Sequence, residues 1–260
     1  MEFKVIHIDE TDSTNGWLRE FATDEHGITL KNDFRDVRRD FREIPCHSDA
    51  NITVVAEYQT AGKGCGSNSW ESERGKNLTF SLLIHPEEIP ANEQFRITEI
   101  TSVALCETLE RYLDEKARIK WPNDIYVGDK KICGMLIENQ LQGSKIKSCI
   151  IGIGLNVNQQ QFLSDAPNPV SILQLTGKET DRKELLSRFL SAFEEAYYRK
   201  TISSAYRERL FRRGKESGYR DDTGDFTATL TDVTPDGRLV LQDTNGQERF
   251  YAFKEVQFII

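Results

Sequence analysis

Apolar residues in this sequence alternate between strand-type and helix-type spacing, which indicates a sheet covered by helices. Val5–Ile8 and the runs ITVVAEYQ and LTFSLLI have the β-branched and aromatic composition of strands. Residues 93–115 and 181–200 keep the three- and four-residue spacing of amphipathic helices. Helical character in the second segment is expected to continue to about Arg213. A shorter helix is predicted around Trp17.

Further strands are predicted between and after the two long helices. RIKWPNDIYVGDKKICGMLIENQ alternates about Gly128-Asp129, a pair suited to a hairpin turn, and KIKSCIIGIGLNVN reads as another strand. The C-terminal runs are short and are separated by the turn signals Pro235-Asp236-Gly237 and Asn245-Gly246. We therefore predict an α+β protein, with a mixed or antiparallel sheet and packed helices over residues 1–218 and a small β-barrel over 219–260.

Composition argues against several functional classes. The 260 residues carry 34 Lys and Arg against 42 Asp and Glu, a formal charge of -8, which disfavours general electrostatic binding to nucleic acid. No apolar stretch approaches the roughly 20 residues of a membrane helix, and the N-terminus lacks a signal-peptide pattern, so a cytoplasmic protein is expected. The five cysteines form no CxxC pair, which favours neither a disulfide framework nor a zinc site.

Residues 27–51 form an unusual charged segment. Apolar residues at helical spacing predict an amphipathic surface helix there. Its arginines suggest anion binding, but neighbouring acids nearly balance them, so a solvated face is the favoured interpretation.

A glycine-rich loop separates the second and third predicted strands. Gly62, Gly64 and Gly66 alternate in GKGCGSNSW, which exposes successive backbone N–H groups and lets a ligand approach the chain. Lys63 adds a positive charge suited to a carboxylate or phosphate. A flexible connection explains the glycines equally well, and the loop does not match the Walker pattern GxxxxGK[ST].

Three further clusters carry candidate chemistry. A proline within Lys120–Asp124 (KWPND) re-aims the flanking polar side chains, and Lys131 follows the hairpin turn. Gly152, Gly154 and Asn156 alternate and therefore point to one face of their strand, where a flat ligand can lie. Each cluster also has a purely structural explanation. KWPND could be a bulge with surface polar groups, Lys131 an exposed lysine at a sheet edge, and the Gly152–Gly154 face a site of close sheet-to-helix packing.

Taken together, DSTN, AEYQTAGKG, KWPND, KICGMLIE and GIGLNVN, in this order from Asp12 to Asn158, resemble the motifs of the biotin protein ligases. The resemblance implies a biotin/lipoate ligase-like catalytic domain followed by an SH3-like barrel. It also implies a reaction in two steps, in which the biotin carboxylate attacks the α-phosphate of ATP and a lysine then attacks the biotinyl-5′-adenylate. ATP with Mg²⁺ and biotin are the implied substrates.

The resemblance implies partners as well. The acceptor lysine would belong to a biotin carboxyl carrier protein or domain of a biotin-dependent carboxylase. Because no helix-turn-helix segment precedes the first strand, the monofunctional class without DNA binding is expected. No membrane partner is expected, and homodimer formation is left open.

Site residues follow from the motif positions. Those expected to bind biotin are Ser13, Thr14, Asn15, Gln59, Gly62, Lys63, Gly64, Cys65, Lys131, Gly134, Gly152 and Gly154. Those expected on the adenylate or ATP side are Lys63, Trp70, Asn123, Met135 and Asn156. Lys131 would neutralise the biotin carboxylate and the charge developing at the α-phosphate, while Lys120 and Asp124 would orient or deprotonate the acceptor amine. No metal ligand is assigned.

The glycine loop departs from the family pattern GRGRxGR. Lys63, Cys65 and Asn68 stand at its arginine positions, and Ser67 replaces its last glycine. Arginine binds phosphate through two parallel hydrogen bonds and lysine only as a point charge, so weaker closure and faster release of the adenylate are predicted. Cys65 beside Lys63 is interpreted as an inert thiol, with a lowered pKa as the alternative.

Three other functions compete with biotin ligation. A lipoate–protein ligase would share the fold and the acyl-adenylate route, but KWPND favours biotin. A degenerate ligase that only holds biotin is supported by the altered loop and disfavoured by the retained Lys131. A plain nucleotide-binding module lacks any Walker or dinucleotide motif.

Overall fold

The computed structural model describes residues 1–23, 50–66, 68–164 and 168–260. The predicted helix within residues 27–51 falls almost wholly outside these ranges. The strands of the main sheet are β1 (Phe3–Thr11), β2 (Asn51–Gln59), β3 (Leu78–Ile84), β4 (Ala117–Lys120), β5 (Asp124–Val127), β6 (Lys130–Gln142) and β7 (Lys145–Leu155). The helices are α1 (Thr14–Thr23), α2 (Phe95–Leu109), α3 (Ile172–Thr176), α4 (Arg182–Tyr197) and α5 (Ile202–Glu208).

The main sheet has seven strands in the order β1-β2-β3-β7-β6-β5-β4. β1 and β2 are parallel, and every other pair is antiparallel. The predicted hairpin is confirmed, with Gly128 at φ +56° between β5 and β6. The mixed α+β class is therefore confirmed.

The two faces of the sheet carry different helices. Alternate residues of β3 point to opposite sides, as a strand requires. Leu78, Phe80 and Leu82 belong to the core formed with α2 and α4, and Leu83 belongs to a second core formed with α1. The polar residues Thr79 and Ser81 share the α1 side, so this face of the sheet carries hydrogen-bonding groups as well as apolar ones.

Two predicted helix ends are wrong. The chain leaves α2 after Leu109, where bonds from Arg111 and Tyr112 to carbonyls three residues earlier tighten the last turn. The second long helix ends at Tyr197, and after a turn helical structure resumes in α5 and stops at Glu208, short of Arg213. Periodicity does not mark such turns, since the apolar residues beyond them are still buried.

A second sheet, here called the C-terminal sheet, is antiparallel throughout. Its strands are β8 (Glu216–Asp221), β9 (Gly224–Val233), β10 (Leu239–Asp243), β11 (Glu248–Tyr251) and β12 (Gln257–Phe258), in the order β11-β10-β9-β8-β12. This arrangement is consistent with a small barrel. The division at residues 218 and 219 stays a prediction.

The C-terminal sheet contacts the main sheet beside KWPND. Trp121 Nε1 donates a hydrogen bond of 2.9 Å to the Gly237 carbonyl, in the turn between β9 and β10. Gly237 has φ +91° and lies against Phe95, whose ring would overlap any β-carbon at that position. Arg207 of α5 forms an ion pair of 2.7 Å with Asp232. In the described ranges, no helix is long and apolar enough to cross a membrane.

Candidate active site

A cleft opens on the α1 side of the main sheet, above β6 and β7. Its lining comprises Ser13, Thr14, Asn15, Gln59, Lys63, Gly64, Cys65, Trp70, Asn123, Asp124, Lys131, Gly134, Met135, Leu136, Gly152, Ile153 and Gly154. Residues predicted from motifs far apart in the chain therefore meet in one place. Leu136 and Ile153 also line it and were not predicted, because nothing distinguishes them from other apolar strand residues.

Buried, neutral side chains of Thr14, Asn15 and Ser81 form a hydrogen-bonding wall at one end of the cleft. Gln59 Oε1 accepts a 2.8 Å bond from the Thr14 backbone N–H, at the start of α1. Ser81 Oγ lies 2.6 Å from both Thr14 Oγ1 and Asn15 Oδ1, and Asn15 Nδ2 donates to Glu138 Oε2 at 2.8 Å. Sequence reasoning missed Ser81 and Glu138. The two hydroxyl residues within the otherwise apolar run LTFSLLI, Thr79 and Ser81, were the available signal for Ser81.

The floor of the cleft consists of glycine backbone. Gly152 and Gly154 share one face of β7, as predicted, and neither has room for a β-carbon. A β-carbon on Gly152 would overlap the Asn15 side chain, and one on Gly154 would overlap the Trp70 indole. The bare strand face is thus covered by these two side chains, and the enclosed space is only about 50 Å³. A bound ligand requires the indole to shift.

Lys131 supplies a positive charge inside the cleft. Its Nζ lies 2.7 Å from Asp124 Oδ1 and 5.5 Å from the centroid of the Trp70 ring. The Lys131 and Asp124 side chains are 25% and 16% exposed, so water screens the pair only in part. Backbone bonds to Asn168 and Val170 hold Lys131 on the side away from β5. It is therefore a fixed interior cation, and not the exposed edge lysine of the alternative interpretation.

The glycine loop folds back over the cleft. Trp70 N–H donates to the Gly62 carbonyl at 2.9 Å, and Gly64 N–H donates to Asn68 O at 2.7 Å. Asn123 Nδ2 lies 3.0 Å from Cys65 Sγ. Burial raises the pKa of the Cys65 thiol, and the nearby negative charge of Asp124 acts in the same direction. This direction favours the inert-thiol interpretation over a lowered pKa, and the reactivity of Cys65 stays a prediction.

Three predicted residues do not line the cleft. Gly62 only closes the base of the loop. Asn156 lies in the interior, where its Nδ2 donates to Val170 O at 3.1 Å and its Oδ1 has no hydrogen-bond partner among the described residues. Lys120 points to the C-terminal sheet, with Nζ 5.3 Å from the Tyr126 ring centroid and 5.2 Å from that of Phe258. Desolvation lowers the pKa of Lys120.

Comparison with known proteins gives the family. The profile of the Biotin/lipoate A/B protein ligase family matches residues 41–156. The bifunctional ligase/repressor BirA of Bacillus subtilis (strain 168) is 31% identical over 210 residues, which cover 76% of this chain and 64% of that protein. The chain therefore contains a domain of the biotin/lipoate A/B protein ligase family.

Two further likenesses agree with this domain assignment. The biotin–[acetyl-CoA-carboxylase] ligase of Paracoccus denitrificans is 27% identical over 207 residues, which cover 75% of this chain and 85% of that protein. The biotin protein ligase of Aquifex aeolicus, solved in complex with biotin and ATP, superposes with a TM-score of 0.74 at 24% identity, over 98% of this chain and 99% of that one. The superposition on the Aquifex aeolicus structure establishes the fold.

The cleft combines two chemical environments. Neutral amide and hydroxyl groups at one end suit an uncharged polar ring, and the Lys131 ammonium suits an anion. Among the described residues there is no cluster of three or more His, Cys, Asp or Glu side chains that could hold a metal. The neutral groups and the Lys131 ammonium provide binding, orientation and charge neutralisation.

Proposed function

We propose that the protein is a biotin–protein ligase, which converts biotin and ATP to biotinyl-5′-adenylate and transfers the biotinyl group to a carrier lysine. The observation that carries the proposal is the separation, within one cleft, of the neutral wall around Thr14 and Asn15 from the Lys131 cation. Biotin has the matching polarity, with a neutral ureido ring at one end and a carboxylate at the other.

In the first step a biotin carboxylate oxygen attacks the α-phosphorus, and pyrophosphate leaves. Lys131 reduces the repulsion between the two anions and balances the charge that develops on the phosphoryl oxygens. Asp124, 2.7 Å away, holds the ammonium in position. The floor of Gly152 and Gly154 allows the ligand to lie directly on the strand once Trp70 moves aside.

In the second step the carrier amine attacks the biotinyl carbonyl, and AMP leaves. The attacking amine must lose a proton, and Asp124 is the carboxylate that the described cleft residues provide for it. Lys120 is directed to the C-terminal sheet, so we assign it no contact with the amine. Mg²⁺ would enter with ATP as the Mg–ATP substrate.

The partner that fits this reaction is a biotin carboxyl carrier protein or domain. The chain spans about 64% of the length of BirA from Bacillus subtilis, and the ligase activity alone is what we propose for it. We place the reaction in the cytoplasm, where ATP and carboxylases occur together.

The test is to incubate the protein with Mg–ATP, a biotin carrier domain and either biotin or lipoate. A mass increase on the carrier with biotin, and little with lipoate, is expected. Efficient labelling with lipoate would identify the lipoate branch of the family. Biotin binding without pyrophosphate release would identify a degenerate binder and refute the proposal.

A further inference from the structure

One lysine of the C-terminal sheet reaches the glycine loop of the cleft. Lys254 lies in the turn that joins β11 to β12, and its side chain rests against Gly66. A β-carbon built on Gly66 would be 2.7 Å from Lys254 Nζ and 3.3 Å from Cε. Residues almost two hundred positions apart in the sequence are therefore in contact at the mouth of the cleft.

The backbone at Lys254 is unusual for a lysine. Glu255 N–H donates to the Ala252 carbonyl at 3.1 Å, which makes Lys254 the third residue of a four-residue turn. Its φ is +72°, in the left-handed region where such turns favour glycine. The backbone conformation of the turn therefore does not favour a lysine at this position. A strained conformation of this kind suggests that the lysine side chain has a role of its own.

The Lys254 ammonium also lacks a balancing charge. Within the described ranges no carboxylate lies within ion-pair distance of it, and its Nζ lies 5.7 Å from the ring centroid of exposed Phe253. In contrast, Lys131 in the cleft is already paired with Asp124. Among the residues that the structure describes, Lys63 in the cleft lining and Lys254 against Gly66 are therefore the cations available to a further anion there.

We propose that Lys254 is a positioning residue that retains the acyl-adenylate. Its ammonium rests on the glycine loop, keeps that loop folded over the cleft, and places a positive charge at the mouth where the adenylate phosphate resides. This inference rests on the proposed function. It also modifies the prediction from the loop sequence, because a cation from the C-terminal sheet compensates in part for the arginines that the loop lacks.

The test compares Lys254→Gly and Lys254→Arg with the unchanged protein. Glycine suits the left-handed backbone, so Lys254→Gly is expected to unfold at the same or a higher temperature, which separates loss of function from loss of fold. Arginine keeps the charge at the same place. Lys200→Gly, which removes an exposed lysine that does not line the cleft, is the matched control.

Each protein is loaded with biotin and α-labelled ATP in the presence of pyrophosphatase, then separated from free nucleotide, and release of labelled adenylate is followed. Lys254→Gly is expected to release it about tenfold faster, the effect of losing one charged contact. The salt dependence of release should flatten in that variant, while Lys254→Arg and Lys200→Gly stay within about twofold of the unchanged protein.

Equal release rates for Lys254→Gly and the unchanged protein would overturn the inference and leave the proposed function intact. Fast release from Lys254→Arg would overturn it as well, since the charge would then be irrelevant. If the unchanged protein forms no adenylate, the proposed function fails and this inference fails with it.

Discussion

Replacing Lys131 by methionine tests the electrostatic part of the mechanism. Methionine has a similar length and no charge, so it removes the cation without opening a large cavity. Two costs follow from the geometry. The reacting phosphate loses a charged contact worth about 1.5–3 kcal/mol. Asp124, 16% exposed and 2.7 Å from the missing ammonium, then repels the incoming carboxylate by a few kcal/mol, reduced by partial screening.

Together these costs amount to about 4 kcal/mol, or about a thousandfold in the rate of adenylation. Biotin-dependent pyrophosphate release in a single turnover measures that rate directly. The double variant Lys131→Met/Asp124→Asn removes the repulsion and should recover at least about tenfold over Lys131→Met. A single variant within about fivefold of the unchanged protein would refute the reasoning. So would a double variant no faster than the single one.

Three further outcomes are expected. Ser81→Ala removes a fully buried hydroxyl that lies 2.6 Å from Thr14 Oγ1. It should lower the free energy of unfolding, measured by urea titration, by about 2 kcal/mol and raise the KM for biotin. An unchanged KM would show that the hydrogen-bonding wall around Thr14 does not bind biotin. Trp121→Phe leaves the Gly237 carbonyl without its donor and should cost about 1 kcal/mol of stability, whereas an unchanged Tm would show that the bond contributes nothing. Burial raises the pKa of Cys65, so the neutral thiol makes its full contribution to stability below the usual thiol pKa, and that contribution decreases as pH rises through the raised value. Alkylation of this thiol, measured by peptide mass, should therefore begin at higher pH than alkylation of a free cysteine. Alkylation at the ordinary pH would contradict the burial.

The sequence predicted most strands of the main sheet and the helices α1, α2 and α4, because each has a clear apolar period. It did not predict where the helices end. Leu113 is buried beyond the end of α2, so the apolar pattern continues after the hydrogen-bonded helix has stopped. Segments that turn while remaining buried cannot be distinguished by periodicity alone.

The motifs located most of the cleft but not the contacts that define it. Gly154 was recognised as a bare position, yet the side chain that covers it, Trp70, lies far away in the sequence. The direction of Lys120 depends on Phe258, in the last strand of the C-terminal sheet. Such relations arise from tertiary packing, and local residue patterns carry no information about them.

The most direct test of a two-step ligase is a chase of the isolated intermediate. Protein loaded with biotinyl-5′-adenylate and freed of ATP is mixed with a carrier domain, and the carrier mass is followed in a single turnover. The account predicts that the carrier gains one biotinyl group per loaded protein, with release of AMP. Loss of the adenylate to hydrolysis with no labelled carrier would contradict it.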